Sequence, residues 1–442
     1  MDTAPVARDI IEIFEQHGIW REKEAQRLLA APSLATLSSA EKDAIAVRTA
    51  YQKDKEMVQY WGFSYGTVLG ATLSAMYPDR IKRAVLDGVA DSHDYMAGGW
   101  STNLRDTDLT FVKMTEYCYD GGRDNCPLWH EDGPAMISEI VQKTIADFEH
   151  NPISIPDPDG TSTPEVVTSN DLRRLFRDIV YGPLRDLPKT VQVLYELSQR
   201  NGTTLAKWTA SDRPKHLGEP LSKKCKADGP YSPACMQGND GALGMDWAVT
   251  YSIACSDANG DRLGQSKEDF KEYADKTVAQ SKLIGASWAS IMLPCTAWHA
   301  RPHWRYEGKF HNTTAHPILF AGNTIDPVTP LYNAFLMSKG FPDSGVLHQD
   351  SEGHCTYGSV SLCSGRSIRE YFQSGTLPGD EKGLAHLDDH FTRGWKGKGK
   401  LCSADIKPLS GYGPDSPVPE LPEGEEDQAL WEALVTLNRV WP

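Results

Sequence analysis

The sequence predicts an α/β fold in which a helical insertion interrupts a parallel sheet. Residues 57–61 and 83–89 have the composition of short buried strands, and residues 65–76 between them are apolar at helical spacing. Strand, tight turn, helix and strand in this order make the βαβ unit of a parallel sheet. Strand-like segments return only from His316, after a long stretch whose sequence is typical of helices and loops. We therefore predict one α/β core with a large insertion.

The boundaries of the core follow from these changes of pattern. Residues 1–98 and 314–402 are assigned to the α/β core, and residues 99–313 to a mainly helical insertion with little strand signal. Residues 403–442 are assigned to a linker rich in Pro, Gly and acidic residues, followed by a C-terminal helix. A length of 442 residues exceeds the usual size of one compact domain, which agrees with a core that carries an insertion.

Helices are predicted at both ends of the chain. Residues 3–31 have apolar positions on one face, with Thr3 available as the cap, and residues 38–55 open with the capping-box pattern Ser38-Ser-Ala-Glu41. The last helix carries an apolar stripe made of Leu430, Leu434, Leu437 and Trp441. We expect this stripe to pack on the body of the protein rather than to recruit a partner.

The strand pattern resumes in the second half of the core. Residues 316–323 predict a buried strand, and a helix is expected to begin near Pro330. Residues 344–349 predict the next strand, and a helix around residues 367–372 follows it. The same alternation of strand and helix therefore precedes and follows the insertion.

Composition limits the kinds of partner that the protein can bind. Apolar residues make up 40% of the chain, which is enough to fill a large core. The net charge of −15 argues against nucleic acid or an anionic membrane as partner, because no Lys/Arg cluster offsets the repulsion from phosphates. No apolar run approaches the roughly 20 residues that span a bilayer. A cationic group on a small substrate, such as a free amine, would be tolerated, and no cofactor is expected.

The nine cysteines suggest disulfide-closed loops. Several lie close in sequence and are predicted to pair: Cys118 with Cys126, Cys225 with Cys235, and Cys355 with Cys363. The odd number leaves one cysteine over, and Cys402 is the residue that we predict to be unpaired. The alternative is a set of free thiols in a cytosolic protein. Zinc is not expected, because no CxxC pair occurs.

Two glycosylation sequons, Asn201-Gly-Thr and Asn312-Thr-Thr, agree with an oxidising compartment. The first residues, MDTAPVARDIIEIFEQHG, lack a basic segment followed by an apolar stretch, so no signal peptide is expected in this chain. The sequence therefore predicts a protein of the secretory pathway without a signal peptide of its own.

Gly62-Phe-Ser64-Tyr-Gly66 matches the pattern G-x-S-x-G. In this pattern the serine occupies a strained turn between a strand and a helix, and the glycines let neighbouring elements approach. The five residues alone would occur by chance in about one chain in seven of this length. The apolar strand before them and the apolar helix after them favour the functional interpretation. Ser64 is the candidate nucleophile, and the Tyr65 N–H at the helix start is a candidate oxyanion donor.

A serine nucleophile needs a base and an orienting acid, which should follow in the order serine, acid, histidine. Asp326 comes just after a predicted strand, in ILFAGNTIDPVTP, and His354 lies in the loop after what we take as the last strand, in HQDSEGHCTYG. Either residue alone could be an ordinary turn or loop residue. Their order and placement together predict a triad of Ser64, Asp326 and His354.

Other residues compete for these roles. Asp87 also ends a strand and is the alternative acid, with a turn or helix cap as its other explanation. The histidines at 316 and 348 lie at or within strands, which suits packing. His299 and His303 are four residues apart, but Pro302 breaks the helix that would align them, so no metal site is expected.

These motifs resemble the α/β-hydrolase superfamily, specifically the tripeptidyl/prolyl aminopeptidase-like serine peptidases with a TAP-like C-terminal region. The resemblance rests on the stretches YWGFSYGTVLGATLSAMYPDRIKRAVLDGV, DYMAGGWSTNLRDTD, YSIACSD, HPILFAGNTIDPVTP and SEGHCTYG. The resemblance extends from Thr3 to about Cys402. It implies an α/β-hydrolase fold with the insertion as a helical cap, and release of short peptides or single residues from free N-termini.

Exopeptidases of this kind must hold the substrate's ammonium group, and carboxylates of the cap can do so by charge pairing. Asp257 in YSIACSD and Asp106 or Asp108 in NLRDTD are the candidates. Each of them could equally be a solvated acid or a helix cap.

The chain departs from the family pattern before the nucleophile. The resemblance implies several strands and a Gly-rich loop of the HGGPG type there, whose N–H supplies half of the oxyanion hole. Nothing like HGG or GGPG precedes Ser64. We therefore expect the N-terminal strands of the sheet to be missing and this chain to be N-terminally truncated. An esterase or thioesterase of small-molecule metabolism and a non-catalytic remnant remain the alternatives to an exopeptidase.

Overall fold

A parallel sheet forms the centre of the protein. The computed structural model describes residues 2–158, 164–212, 223, 227, 245–384, 387, 393, 395–413 and 422–440. The strands in chain order are β1 (Val58–Phe63), β2 (Ile81–Asp87), β3 (Ile153–Ile155), β4 (Glu165–Val167), β5 (Leu319–Ile325), β6 (Gly345–Glu352) and β7 (Lys398–Ser403). Five of them form one sheet in the order β1-β2-β5-β6-β7, with every neighbouring pair parallel. The predicted α/β class is thereby confirmed.

Helices surround this sheet and make up most of the described chain between β2 and β5 in the sequence. In chain order the described helices are α1 (Thr3–Leu29), α2 (Ser39–Thr49), α3 (Tyr65–Met76), α4 (Ser92–Met96), α5 (Thr107–Asn125), α6 (Pro134–His150), α7 (Ser169–Tyr181), α8 (Pro183–Ser198), α9 (Thr203–Asp212), α10 (Met245–Asp257), α11 (Lys267–Gln280), α12 (Gly285–Ile291), α13 (Leu331–Ser338), α14 (Leu362–Ser374) and α15 (Glu425–Val440). None of the described helices is long and apolar enough to cross a membrane.

The sheet is buried on both faces near its middle. Its strands carry apolar side chains such as Leu86, Phe320 and Val346, none of which is exposed. Near-continuous apolar strands are typical of parallel sheets that helices cover on both sides. β1 differs, because it is an edge strand of the described sheet and its residue Trp61 is 38% exposed.

Helix α1 is anchored to the core at several points. Asp2 caps it by accepting a hydrogen bond from the Ala4 N–H, so the predicted cap at Thr3 is wrong by one residue. Thr3 instead has its hydroxyl and its N–H bonded to a buried carboxylate at the end of α10. Farther along, Glu15 forms an ion pair with Arg80, which follows α3 in the chain. These contacts fix α1 in its position against α3.

The segment between β2 and β5 has an apolar core of its own. Buried side chains of α7 and α8 contribute a large share of it, including Leu172, Phe176, Leu187 and Leu194. Its only described strands are β3 and β4, a short antiparallel pair. The segment is therefore mainly helical, as the sequence indicates.

The disulfides only partly follow the spacing argument. Cys118 pairs with Cys126 as predicted. The predicted pair of Cys355 with Cys363 is wrong, and so is the prediction that Cys402 is unpaired, because Cys363 on α14 is bonded to Cys402 on β7. Among the described cysteines, Cys355 is free and buried.

A further disulfide joins Cys255 to Cys295, 40 residues apart in the sequence. The predicted pair of Cys225 and Cys235 lies outside the described residues. Long-range pairing is set by which elements pack together, and spacing in the sequence does not reveal it. Three disulfides among the described residues indicate an oxidising, extracellular or secretory compartment.

The C-terminal region adds two elements to the core. β7 was not anticipated from the sequence, and it places one more strand after β6. Helix α15 packs on α14, as expected for the last helix, and its buried positions include Trp431 and Val435. Leu430 and Leu434 of the predicted stripe approach Gly365, whereas Trp441 lies outside the described residues.

Candidate active site

Ser64 lies at the tight turn between β1 and α3 with a strained backbone. Its φ of 54° and ψ of −121° fall outside the usual regions for a residue with a side chain, and such outliers cluster at functional sites. Gly62 permits the turn, because a Cβ there would lie 2.4 Å from the Gly66 carbonyl oxygen and 2.5 Å from the Tyr60 ring. The Ser64 N–H donates to the Asp87 carbonyl oxygen at 3.0 Å. The strand, turn and helix that the motif requires are all present.

Tyr65 is the first residue of α3. Backbone N–H groups in the first turn of a helix have no intrahelical acceptor, and the helix dipole makes this end partially positive. The Tyr65 N–H next to Ser64 can therefore donate to a negatively charged oxygen that forms at the serine.

Asp326 directly follows β5 and is fully buried. Its carboxylate accepts hydrogen bonds from the N–H groups of Val328 at 3.0 Å, Thr329 at 2.8 Å and Cys355 at 2.8 Å. The Thr329 hydroxyl adds a fourth at 2.7 Å. These donors come from two separate loops and hold the carboxylate of Asp326 in one orientation.

His354 meets Asp326 across the ends of two neighbouring strands. Its Nδ1 lies 3.1 Å from Oδ1 and 3.2 Å from Oδ2 of Asp326, and the Thr329 hydroxyl is 3.0 Å from the same nitrogen. The ring of Tyr181 packs edge-on against the imidazole, with 5.1 Å between the ring centroids. An Nδ1–H that faces the carboxylate leaves Nε2 as the basic nitrogen.

Ser64 lines a cavity of about 220 Å³ whose walls come from the core and from the segment between β2 and β5. The core contributes Tyr65, Val68, Ala90, Asp91, Tyr95, Val328 and Thr329, and the segment contributes Trp100, Asn103, Tyr181, Thr250, Trp288 and Ile291. His354 Nε2 is buried without a hydrogen-bond partner among the described residues, so the serine does not donate to it in this structure. In ligand-free enzymes the hydrogen bonds used in catalysis are often long or open.

Residues 281–383, which include Asp326 and His354, match the family described as TAP-like protein. This match, together with the relatives below, supports an α/β-hydrolase of the TAP-like family. The tripeptidyl aminopeptidase of Streptomyces lividans is 22% identical over 349 residues, which are 78% of this chain and 57% of the relative. The same enzyme of Streptomyces coelicolor is also 22% identical, over 78% of this chain and 56% of the relative.

Serine protease Hip1 of Mycobacterium tuberculosis is 28% identical over 148 residues, which are 33% of this chain and 26% of the relative. The chain thus spans little more than half the length of the tripeptidyl aminopeptidases that it matches. At these identities the comparisons support a serine hydrolase of this family.

The alternative acid, Asp87, contacts a different partner. It is fully buried and accepts hydrogen bonds from the Thr356 N–H at 2.8 Å and from the Thr356 hydroxyl. Burial raises the pKa of Asp87 to about 6. Asp87 therefore ties the loop that carries His354 to the end of β2, while Asp326 contacts the histidine itself.

The three carboxylates predicted to bind the substrate's ammonium group differ in their hydrogen-bond partners. Asp257 is fully buried, and its oxygens accept hydrogen bonds from Thr3 and from the Tyr95 hydroxyl. Asp108 accepts from the Ser281 hydroxyl at 2.5 Å and from the Lys282 N–H at 3.1 Å. None of the three is among the residues that line the cavity.

Asp106 is buried at the start of α5, and its Oδ2 has no hydrogen-bond partner among the described residues. Burial raises the pKa of Asp106 to about 6, and likewise that of Asp257.

Asp91 lines the cavity and was not anticipated from the sequence. One of its oxygens accepts the N–H groups of His93 at 3.0 Å and Asp94 at 3.2 Å, so it caps α4. Burial raises the pKa of Asp91 above the usual range. The only sequence signal was the pattern Asp-Ser-His-Asp, which is also an ordinary helix start.

Asp326, His354 and Cys355 are close enough together to suggest a metal site, but their chemistry does not fit one. The carboxylate of Asp326 already accepts several hydrogen bonds. Burial raises the pKa of the Cys355 thiol, which disfavours the thiolate that a metal ligand requires. The cluster is better explained by an acid that orients a histidine.

The raised pKa of Asp87 predicts a pH-dependent contribution to stability. Its pKa is near 6 in the folded protein and 3.8 as the reference value, so ionisation destabilises the folded state as pH rises from about 4 to 6. An Asp87→Asn variant lacks this ionisation. We expect the free energy of unfolding of the variant minus that of the unmodified protein to increase by about 3 kcal/mol from pH 4 to pH 7.

Urea unfolding at several pH values in this range measures the effect. Asp120→Asn, which removes an exposed carboxylate of α5, is the matched control and should show a much smaller trend. A difference between Asp87→Asn and the unmodified protein that stays constant with pH would contradict the assignment.

Proposed function

We propose that this protein is a serine exopeptidase that releases short peptides or single residues from free N-termini through an acyl-enzyme. The observation that carries the proposal is that one cavity is lined both by the strained Ser64 and by Thr329, whose hydroxyl contacts Asp326 and His354. Ser64 Oγ attacks the scissile carbonyl, and His354 Nε2 accepts its proton and later passes it to the leaving amine. Asp326 holds the imidazole with Nδ1–H towards it.

The oxyanion of the tetrahedral intermediate is stabilised by the Tyr65 N–H at the start of α3. Residues 99–313 act as a cap that encloses the substrate. Their contribution of Trp100, Tyr181 and Trp288 to the cavity supports this role, because the cap would then exclude water from the reacting groups.

A fluorophosphonate probe tests the nucleophile. We expect it to label the native protein at Ser64 and to fail with Ser64→Ala, since the serine hydroxyl forms the covalent bond. His354→Ala should slow labelling strongly because no base then activates the hydroxyl. The residue modified is identified by mass spectrometry of the digested protein.

Ser39→Ala removes an exposed hydroxyl from α2 and should label at the same rate as the unmodified protein. A folded native protein that does not react would favour a non-catalytic remnant over an enzyme.

Asp91 is the residue that we propose to hold the substrate's ammonium group. Among the described residues that line the cavity, it is the one with a carboxylate. Tyr95 and Trp100 line the same cavity with 5.7 Å between their centroids, and aromatic faces attract cations. Asp257 and Asp108 are less suited, because their oxygens already accept protein hydrogen bonds.

Asp91→Asn removes the charge and keeps the shape of the side chain. We expect it to raise KM for aminoacyl arylamides by about 10–100-fold, the effect of losing one hydrogen bond to a charged group. Hydrolysis of N-acetylated analogues and simple acyl esters should change little. Steady-state kinetics of the three substrate classes provide the measurement.

Asp257→Asn is the comparison variant and should not reproduce the effect on KM. If Asp257→Asn raises KM and Asp91→Asn does not, the ammonium site is at Asp257. If acyl esters are the better substrates of the unmodified protein, an esterase is the correct function.

The open side of the sheet leads to a further part of the proposal. β1 is an edge strand of the described sheet, and Trp61 on it is 38% exposed. Exposed apolar edges favour aggregation, and natural proteins usually cover them. The relatives are also much longer than the part that this chain matches. We propose that additional strands pair with β1 and that they bring a second oxyanion donor to Ser64.

A longer form of the polypeptide that carries additional strand-forming residues before Met1 tests this idea. Because a single oxyanion donor contributes about 10²–10³-fold to kcat, the longer form should exceed the 442-residue chain by that factor. The two forms are compared with one arylamide substrate at equal concentrations of probe-titrated active sites. Equal kcat values would show that the chain already contains a complete oxyanion hole.

A further inference from the structure

The indole N–H of Trp288 is a buried hydrogen-bond donor beside the cavity that contains Ser64. Trp288 lies on α12, is 5% exposed and lines the cavity that contains Ser64. Its Nε1 has no hydrogen-bond partner among the described residues. Buried polar groups in native proteins are almost always paired, so an unpaired donor at a binding cavity points to a missing acceptor.

The position of this indole is fixed by its surroundings. Its ring packs on Trp100 with 5.4 Å between centroids, and Trp100 in turn packs on Tyr95. Helix α12 lies very close to α11 at Gly285, where a Cβ would come within 2.6 Å of the Thr277 carbonyl oxygen. A donor held in this way loses little conformational freedom when it binds an acceptor.

Among the described residues no acceptor lies within hydrogen-bond distance of this donor, and the walls of the cavity are mostly aromatic or aliphatic. In the proposed mechanism the scissile carbonyl oxygen is bound both by the Tyr65 N–H and by the second oxyanion donor of the additional strands, so this oxygen is not the acceptor that Trp288 lacks. The acceptor must therefore be another oxygen of the substrate, on the acyl side of the scissile bond. In a peptide, the first such oxygen is the carbonyl of the preceding amide.

We propose that the Trp288 Nε1–H donates a hydrogen bond to the amide carbonyl that precedes the scissile bond. Trp288 then selects substrates whose acyl part contains at least two residues over single aminoacyl groups. This inference rests on the proposed peptidase function of the same site.

The test compares two arylamide substrates with the full chain. One is a dipeptidyl arylamide, and the other is its trans-alkene isostere, which lacks the internal carbonyl but has the same length. Trp288→Phe keeps an aromatic ring and removes the donor. It should lower kcat/KM about tenfold for the dipeptidyl arylamide and leave the isostere unchanged, as expected for the loss of one hydrogen bond.

Trp100→Phe is the matched control, because it changes the neighbouring indole of the same wall. It should affect both substrates to the same extent. An equal loss on both substrates with Trp288→Phe would overturn the inference, while hydrolysis itself would leave the proposed function standing. Absence of any hydrolysis or probe labelling by the unmodified chain would instead reject the proposed function.

A second measurement does not depend on the folding of a variant. In protein labelled with ¹⁵N-tryptophan, the indole resonance of Trp288 should shift downfield when a dipeptidyl phosphonate occupies Ser64. A phosphonate with a single aminoacyl group should leave it in place. Identical spectra with the two inhibitors would contradict the hydrogen bond.

Discussion

The buried carboxylate of Asp326 is the constraint on which the candidate site depends. It is fully buried and receives hydrogen bonds from its own loop and from the Cys355 N–H, which follows β6. A buried charge is stable only when such donors surround it. The carboxylate thereby fixes the two loops that follow β5 and β6, and it places the His354 imidazole as a result. Asp87 acts in parallel, since it ties Thr356 to the end of β2.

Local patterns in the sequence predicted the parts of the site that depend on local structure. The strand, turn and helix around Ser64 follow from the glycine at 62, whose hydrogen is all that fits against Gly66. The positions of Asp326 and His354 follow from strand order, because the carboxyl ends of neighbouring parallel strands meet at one edge of the sheet. Strand ends were less accurate, and β7 after β6 was missed.

Features that depend on long-range packing could not be predicted. Cys363 bonds to Cys402 because α14 packs beside β7, and nothing in the spacing of the cysteines records that contact. Asp91 looks like an ordinary cap in the sequence, and only the folded structure shows that it faces the cavity. The orphan N–H of Trp288 is likewise visible only when its neighbours are in place.

The two edges of the sheet differ in a way that bears on self-association. At β7 the Cys363–Cys402 disulfide holds the strand to α14, and Asp380 pairs with Gly399 along the outer side. At β1 the described residues include no such cover. A molecule with one blocked and one open edge can add a neighbouring strand only once. Edge pairing of this chain would therefore produce closed two-fold dimers, whereas growth of an open fibre needs two free edges.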